Sequence, residues 1–165
     1  CGIAALAVHG RTRADRFKGQ AEYETIRTIC KNVSIPVFAN GDVTTPLQAR
    51  QVLDYTGAAG LMIGRGAQGN PWIFRELRHY LDTGDVLAPP KPGEVHSVMR
   101  DHLKRLHGFY GELNGVKIAR KHIGWYLKAR PNAKHILYDL MRVQTAKEQF
   151  DLLEQHFLNP SQLAA

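Results

Sequence analysis

The chain has 165 residues, 44% hydrophobic and 22% charged, with 22 Lys and Arg against 15 Asp and Glu. This is the composition of a globular protein of one domain or two small ones, and a net charge of +7 favours an anionic partner, nucleic acid first. No apolar run approaches the roughly 18 residues of a membrane span. The start lacks a signal peptide's basic region. The two cysteines, Cys1 and Cys30, have no metal spacing and are too few for a disulfide framework, so a reducing cytoplasm is the expected compartment.

The chain reads as entered partway, at the threshold of a strand. Residues 3–8 form a first apolar run. A helix is predicted over 22–32, with Tyr23, Ile26, Ile29 and Cys30 on one face. Residues 35–39 form a second apolar run. Thr44-Thr45-Pro46 then reads as a cap followed by a proline at an early helical position. Leu47, Val52, Leu53 and Tyr55 are expected on the apolar side of that helix, and Gly57 at its stop. Residues 60–64 make a third apolar run, and a helix over 71–83 ends at Gly84. Short apolar strands alternating with helices predict a parallel sheet covered by helices, either doubly wound or part of a barrel.

Residues 84–93 hold three prolines and two glycines and are the expected linker. Beyond it no strand is predicted. Val95, Val98, Met99, Leu103, Leu106 and Tyr110 have helical spacing over 94–113. A second helix, 115–129, carries Val116, Ala119, Ile123, Tyr126 and Leu127 on one face and stops at Pro131. A third is predicted over 133–143. Thr145-Ala146-Lys147-Glu148 is a capping box opening a fourth, with Phe150, Leu153 and Phe157 inward and the last residues, 159–165, frayed. The fold class is α/β followed by all-α. The sheet-bearing region is 1–83, the linker 84–93, and a small helical bundle 94–160.

Each strand ends in polar residues: His9-Gly10-Arg11-Thr12, then Asn40-Gly41-Asp42, then Gly64-Arg65-Gly66. Functional groups in parallel α/β folds gather at these ends. Gly41, Gly64 and Gly66 let backbone N–H groups approach an anion, and Arg65 can pair with phosphate oxygens. Residues 66–70 are expected to aim a short helix start at the same anion. In a (β/α)8 barrel the last two strand ends form the phosphate site. His9 and Arg11 share a side of the chain and suit the polar edge of a ring or an anionic substrate. Asp42 suits a sugar hydroxyl or a helix cap.

Residues 114–138 contain six Lys or Arg and no acidic residue. Lys117, Lys121 and Lys128 fall on one helical stripe, Arg120 lies beside it, and Trp125 and Tyr126 are interleaved. A basic helix with nearby aromatics suits a phosphate backbone, although a charge run is more often a solvated face.

Three segments together resemble the tRNA-dihydrouridine synthases: Val8-His9-Gly10-Arg11-Thr12-Arg13, residues 35–43 (IPVFANGDV) and residues 60–74 (GLMIGRGAQGNPWIF). Residues 115–126 (GVKIARKHIGWY) are similar to the bacterial B-type members. The resemblance covers nearly the whole chain. It implies the last three βα units of a TIM barrel, then a helical tRNA-binding domain. It implies FMN held by Asn40, Gly41, Asp42, Gly64 and Arg65, with His9 near flavin and uracil. Uridine would be reduced to 5,6-dihydrouridine with NADPH as reductant, in a cytoplasmic monomer that needs neither metal nor membrane.

The family's proton-donating cysteine sits in an Asn-x-Gly-Cys-Pro motif absent from this chain, and neither Cys1 nor Cys30 replaces it. The flavin-contacting lysine of the fifth strand is also absent. No catalytic residue is therefore assigned, and an isolated three-strand piece is expected to be inactive and poorly stable, with open sheet edges. Two other readings are open: a dihydroorotate-dehydrogenase-like FMN barrel, against which the basic helical tail argues, and a stand-alone RNA-binding module.

Overall fold

The computed structural model describes residues 2–16, 18–128 and 134–158, without the side chains of 134, 135 and 158. The elements in order are β1 (Leu6–His9), α1 (Glu24–Asn32), β2 (Val37–Asn40), α2 (Pro46–Thr56), β3 (Gly60–Met62), α3 (Ile73–Thr83), α4 (Pro92–Tyr110), α5 (Glu112–Leu127), α6 (Lys134–Leu140) and α7 (Ala146–Leu158). They divide into two compact units, Cys1–Ala67 with Pro71–Ala88, and Gln68–Asn70 with Pro89–Ala165.

In the first unit the strands lie parallel in the order β1-β2-β3. Their register aligns His9 with Asn40 and Asn40 with Met62. Side chains alternate across a strand, so Val37 and Ala39 meet Leu6, Val8 and Leu61 on one face. That face packs against Ile26 of α1, Ala49 and Val52 of α2, and Ile73 and Leu77 of α3. The opposite face presents Ala7, His9, Phe38 and Met62, all exposed.

Several elements differ from the sequence reading. Strand β1 begins at Leu6, where pairing to β2 starts, and residues 3–5 are exposed outside it. Helix α1 begins two residues late because Glu22 is spent outside it: its N–H donates to the Gly10 carbonyl and its carboxylate accepts the Thr25 N–H. On α2 the inward stripe is Ala49, Val52 and Thr56. Leu47 and Tyr55 are 55% and 48% exposed, contrary to expectation. Helical rotation carries Tyr55 off that stripe, where its hydroxyl bonds Glu24 and Arg27 lies 5.0 Å over its ring. Thr45 does cap α2, accepting the Gln48 N–H, and Pro46 opens it.

In the second unit α4 packs on α5 and α7, and α6 lies against α5 and α7. Met99, Leu103, Ile123, Leu127, Leu140 and Leu153 are wholly or almost wholly buried between them. Pro92, assigned above to the linker, is the first residue of α4. The expected helix over 94–113 breaks at Gly111, whose φ of +74° suits a residue without Cβ and turns the chain into α5. Tyr110, just before the break, is half exposed instead of buried. The capping box of α7 is complete: Thr145 Oγ1 accepts the Glu148 N–H and Glu148 accepts the Thr145 N–H. Inside the bundle, Gln149 is fully buried, accepts from His107 Nε2 and donates to the Val116 carbonyl. Helix α6 is shorter than expected. Pro131 and residues 159–165, like Cys1, lie outside the described residues.

Burial lowers the pKa of His96, His102 and His122 below the ordinary 6.5, aided at His122 by neighbouring His102 and Lys121. These rings favour the neutral form in the folded state. Folding stability is therefore unpenalised above the unfolded value of 6.5 and declines as pH falls from there through the lower folded values. Urea titrations of the chain at about pH 7.5 and about pH 5.5 should show the weaker fold at the acid pH. Equal midpoints would mean these histidines are solvated in both states.

Candidate anion and ring site at the strand ends

The C-terminal ends of β1 and β2 and the loop after β3 bring together most of the residues singled out in the first unit. His9, Asn40 and Met62 form one row. His9 Nδ1 lies 3.2 Å from the Asn40 carbonyl oxygen. A carbonyl only accepts, so this contact places a proton on Nδ1; in the neutral ring Nε2 then keeps the lone pair. Asn40 donates its side-chain amide to the Met62 carbonyl, tying β2 to β3 at the same level.

Arg11 does not reach outward as its spacing suggested. Its side chain is 3% exposed. Nε donates to the Lys18 carbonyl at 3.1 Å and Nη2 to the Gly19 carbonyl at 2.7 Å. Nη1 and Nη2 grip the two oxygens of Asp42, Nη1 at 3.0 Å. The guanidinium thus closes the 10–22 loop on itself and onto the end of β2, and the Arg11 side chain is engaged there.

Asp42 is likewise committed. Besides Arg11 it accepts the Ala21 N–H at 2.8 Å and Arg65 Nη2 at 2.9 Å, two donors on each oxygen. The hydrogen bonds from Arg11, chief among these contacts, hold its carboxyl below the usual carboxylate range. The helix-capping role belongs to Thr45.

The glycines divide by role. Gly41 has φ +141°, and a Cβ there would lie 2.6 Å from the Ala21 Cβ. Its carbonyl accepts from the Tyr23 hydroxyl. A Cβ on Gly66 would meet the Val43 carbonyl at 2.5 Å, so this glycine serves close packing. A Cβ on Gly64 would meet nothing within 4 Å. That open space adjoins Arg65, whose side chain is 49% exposed and anchored by Asp42. The segment after Gly64 is a single 3-10 turn, Arg65–Ala67, not the expected helix start.

Lys117 and Lys121 on α5 and Lys128 at its C-cap are exposed, while Val116, Ala119, Ile123 and Leu127 are buried. Lys121 Nζ sits 4.8 Å over the Trp125 ring. Arg120, expected beside them, is half-buried and donates to the Val143 carbonyl at 2.9 Å, bracing the turn before α7. The sequence reading passed over Tyr23 and Ala21, whose bonds to Gly41 and Asp42 shape the site. It also passed over Arg13, Arg16 and Lys18, exposed on the 10–22 loop. The run of cations in RTRADRFK was the available signal for that trio; nothing local marked Ala21.

A groove of about 870 Å³ adjoins Asp42 on the helix side. It is lined by Tyr23, Gln51, Asp54 and Tyr55 among others, with no Lys or Arg, and does not suit an anion. Among the described residues no cluster of His, Cys, Asp and Glu could hold a metal ion, and no helix is long and apolar enough to cross a membrane.

Gly41→Ala should destabilise the protein by about 1–3 kcal/mol, the scale of a disfavoured backbone conformation, with the Ala21 clash adding to it. Denaturant unfolding measures this. An unchanged midpoint would show that the 10–22 loop yields without cost.

The dihydrouridine synthase (Dus) family model matches residues 1–162. The chain is 55% identical over 159 residues to tRNA-dihydrouridine synthase B of Proteus vulgaris, covering 96% of this chain and 49% of that protein. It is 57% identical over 157 residues to the protein of the same name from Shewanella oneidensis, covering 95% and 48%. With that of Escherichia coli K12 it shares 54% over 159 residues, covering 96% and 50%. The chain spans about half the length of the curated relatives it matches. Its strand-end motifs and its basic helix fall within the matched residues, and the chain belongs to the dihydrouridine synthase family.

Proposed function

We propose that the protein carrying this chain is a flavin-dependent tRNA-dihydrouridine synthase, reducing a uridine in tRNA with NADPH as reductant. On this reading β1, β2 and β3 are the last three strands of a TIM barrel, and the second unit is the tRNA-docking domain. The observation that carries it is the open space at Gly64 beside Arg65, at the strand ends where barrel enzymes bind phosphate, in a chain of this family. The site fits FMN at its phosphate end: Gly64 leaves room, and Arg65 supplies a half-exposed guanidinium.

When bound, the flavin supplies the hydride that reduces the uracil double bond. The residues of this chain bind and orient. Arg65 and the Gly64 backbone hold the phosphate. His9 presents the Nε2 lone pair to a ring N–H on the exposed sheet face. Cys30 is half-buried against the helix-side core, so it is not the proton donor. Lys117, Lys121 and Lys128 follow the tRNA backbone, and Arg120 is withdrawn from that role.

Arg65→Ala in the full-length protein should weaken FMN binding by about 1.5–3 kcal/mol, the scale of a hydrogen bond to a charged group. Flavin fluorescence titration reads it. Unchanged FMN affinity would remove Arg65 from the phosphate site.

Changing Lys117, Lys121 and Lys128 together to Ala should weaken tRNA binding and flatten the plot of log affinity against log salt by roughly two units. FMN affinity should stay constant. Filter binding across a salt series is the measurement, and coincident slopes would make the stripe a solvated face. Salt-dependent tRNA binding by a full-length protein that takes no flavin would instead favour a pure RNA-binding module.

A further inference from the structure

We infer that the turn between α4 and α5 is a base-stacking surface, on which Phe109 takes an unpaired base of the tRNA. The inference rests on the tRNA-docking reading above and adds a contact of a different kind to its lysines. Residues 108–114, which span the end of α4, Gly111 and the start of α5, are all exposed. Three of them are large and apolar: Phe109 is 81% exposed, Tyr110 46% and Leu113 64%. A lone aliphatic at a surface is ordinary, whereas adjoining aromatic rings left in water mark a surface built for a partner. The Phe109 and Tyr110 rings meet edge to face, with centroids 4.8 Å apart and planes at 83°. That contact steadies Phe109 while most of its surface stays open.

The surroundings select the partner. Arg105 lies one turn before Phe109 on α4, and Lys117 one turn after Leu113 on α5, so each shares a helix face with an apolar residue of the turn. Both cations are exposed. The one acid between residues 102 and 120 is Glu112, and its carboxylate accepts the Ala146 N–H. Aromatic area edged with cations suits nucleic acid, whose bases stack on rings while its phosphates lie against the charges. Leu113, Lys117 and Lys121 follow one another at four-residue intervals, about 6 Å apart along the helix axis, so the turn extends the lysine stripe at the start of α5. Trp125, farther along, is less available: it is half-buried and Lys121 Nζ sits 4.8 Å over its ring.

A second copy of the protein fits the turn less well. Side chains of this size offer at most about 250 Å² each. Three of them, partly exposed, fall short of the roughly 800 Å² that each partner gives to a stable interface. A base inside a duplex has its faces covered by its neighbours, so the ring takes one that a tRNA loop leaves unstacked.

The test is filter binding of an unmodified tRNA transcript to the full-length protein across a salt series. Phe109→Ala should weaken binding about fivefold to a hundredfold, the range for losing one stacked base. The slope of log affinity against log salt should stay parental because no phosphate contact is lost, unlike the flattening expected of the lysine changes. Phe109→Trp should bind at least as well as the parent. Phe109→Leu, apolar but without a π face, should bind as weakly as Phe109→Ala. A fully paired RNA duplex should bind the parent and Phe109→Ala alike.

Parental tRNA affinity in Phe109→Ala or in Phe109→Leu would overturn the inference and leave the lysine stripe standing. Equal losses toward tRNA and duplex would overturn it too, as damage to the surface at large. So would a parent that sediments as a dimer beside a monomeric Phe109→Ala, which would assign the turn to self-association. A parent without salt-dependent tRNA binding would sink the tRNA reading itself and this inference with it.

Discussion

The ion pair between Arg11 and Asp42 is the charged centre of the contacts that join the 10–22 loop to the end of β2. Its two partners are unequal: the guanidinium is buried and the carboxylate side chain is one-third exposed. Removing a guanidinium from water is costly unless every face of it finds an acceptor. Here the Lys18 and Gly19 carbonyls supply those acceptors, so the backbone of the 10–22 loop is shaped around the charge. That loop in turn delivers Ala21 to the edge of Gly41 and Tyr23 to its carbonyl. The conformation of the β2 end therefore follows from where a cation two residues past β1 is neutralised.

Helix α5 shows how position divides chemically similar residues. Lys117 and Lys121 stand exposed on α5, while Arg120 between them is turned into the bundle to satisfy Val143. An arginine carries several donors in a plane and can serve a backbone carbonyl at the end of a turn; a lysine keeps a compact, strongly hydrated charge and stays in water. Among the described residues, the charge run thus contains two populations, one structural and one surface.

Much of the architecture was legible because it rests on local rules. The alternation of apolar strands with helices, the Thr45-Pro46 start of α2 and the Thr145 to Glu148 capping box are each written within a few residues, and each is present. The break between α4 and α5 was placed at residue 114 instead of Gly111, because helical spacing runs on past the glycine and only its positive φ marks the turn. At the site, residue types pointed to the right loops but not to the right roles. Arg11 and Asp42 are 31 positions apart, and no local pattern says that they will saturate each other. Leu47 and Tyr55 misled for a related reason: apolarity marks what can be buried, while the three-residue offset of Ala49 and Val52 marks what is.

The contact from His9 to the Asn40 carbonyl has a consequence for how the ring tolerates change around it. Its partner is main chain, not side chain. The tautomer is therefore insensitive to which side chain occupies position 40 and depends only on the strand's path, which the parallel pairing of β1 with β2 already fixes. Substitutions can drift at that neighbour without altering which nitrogen offers its lone pair. For the neutral imidazole, the choice between its two tautomers is inherited from the sheet.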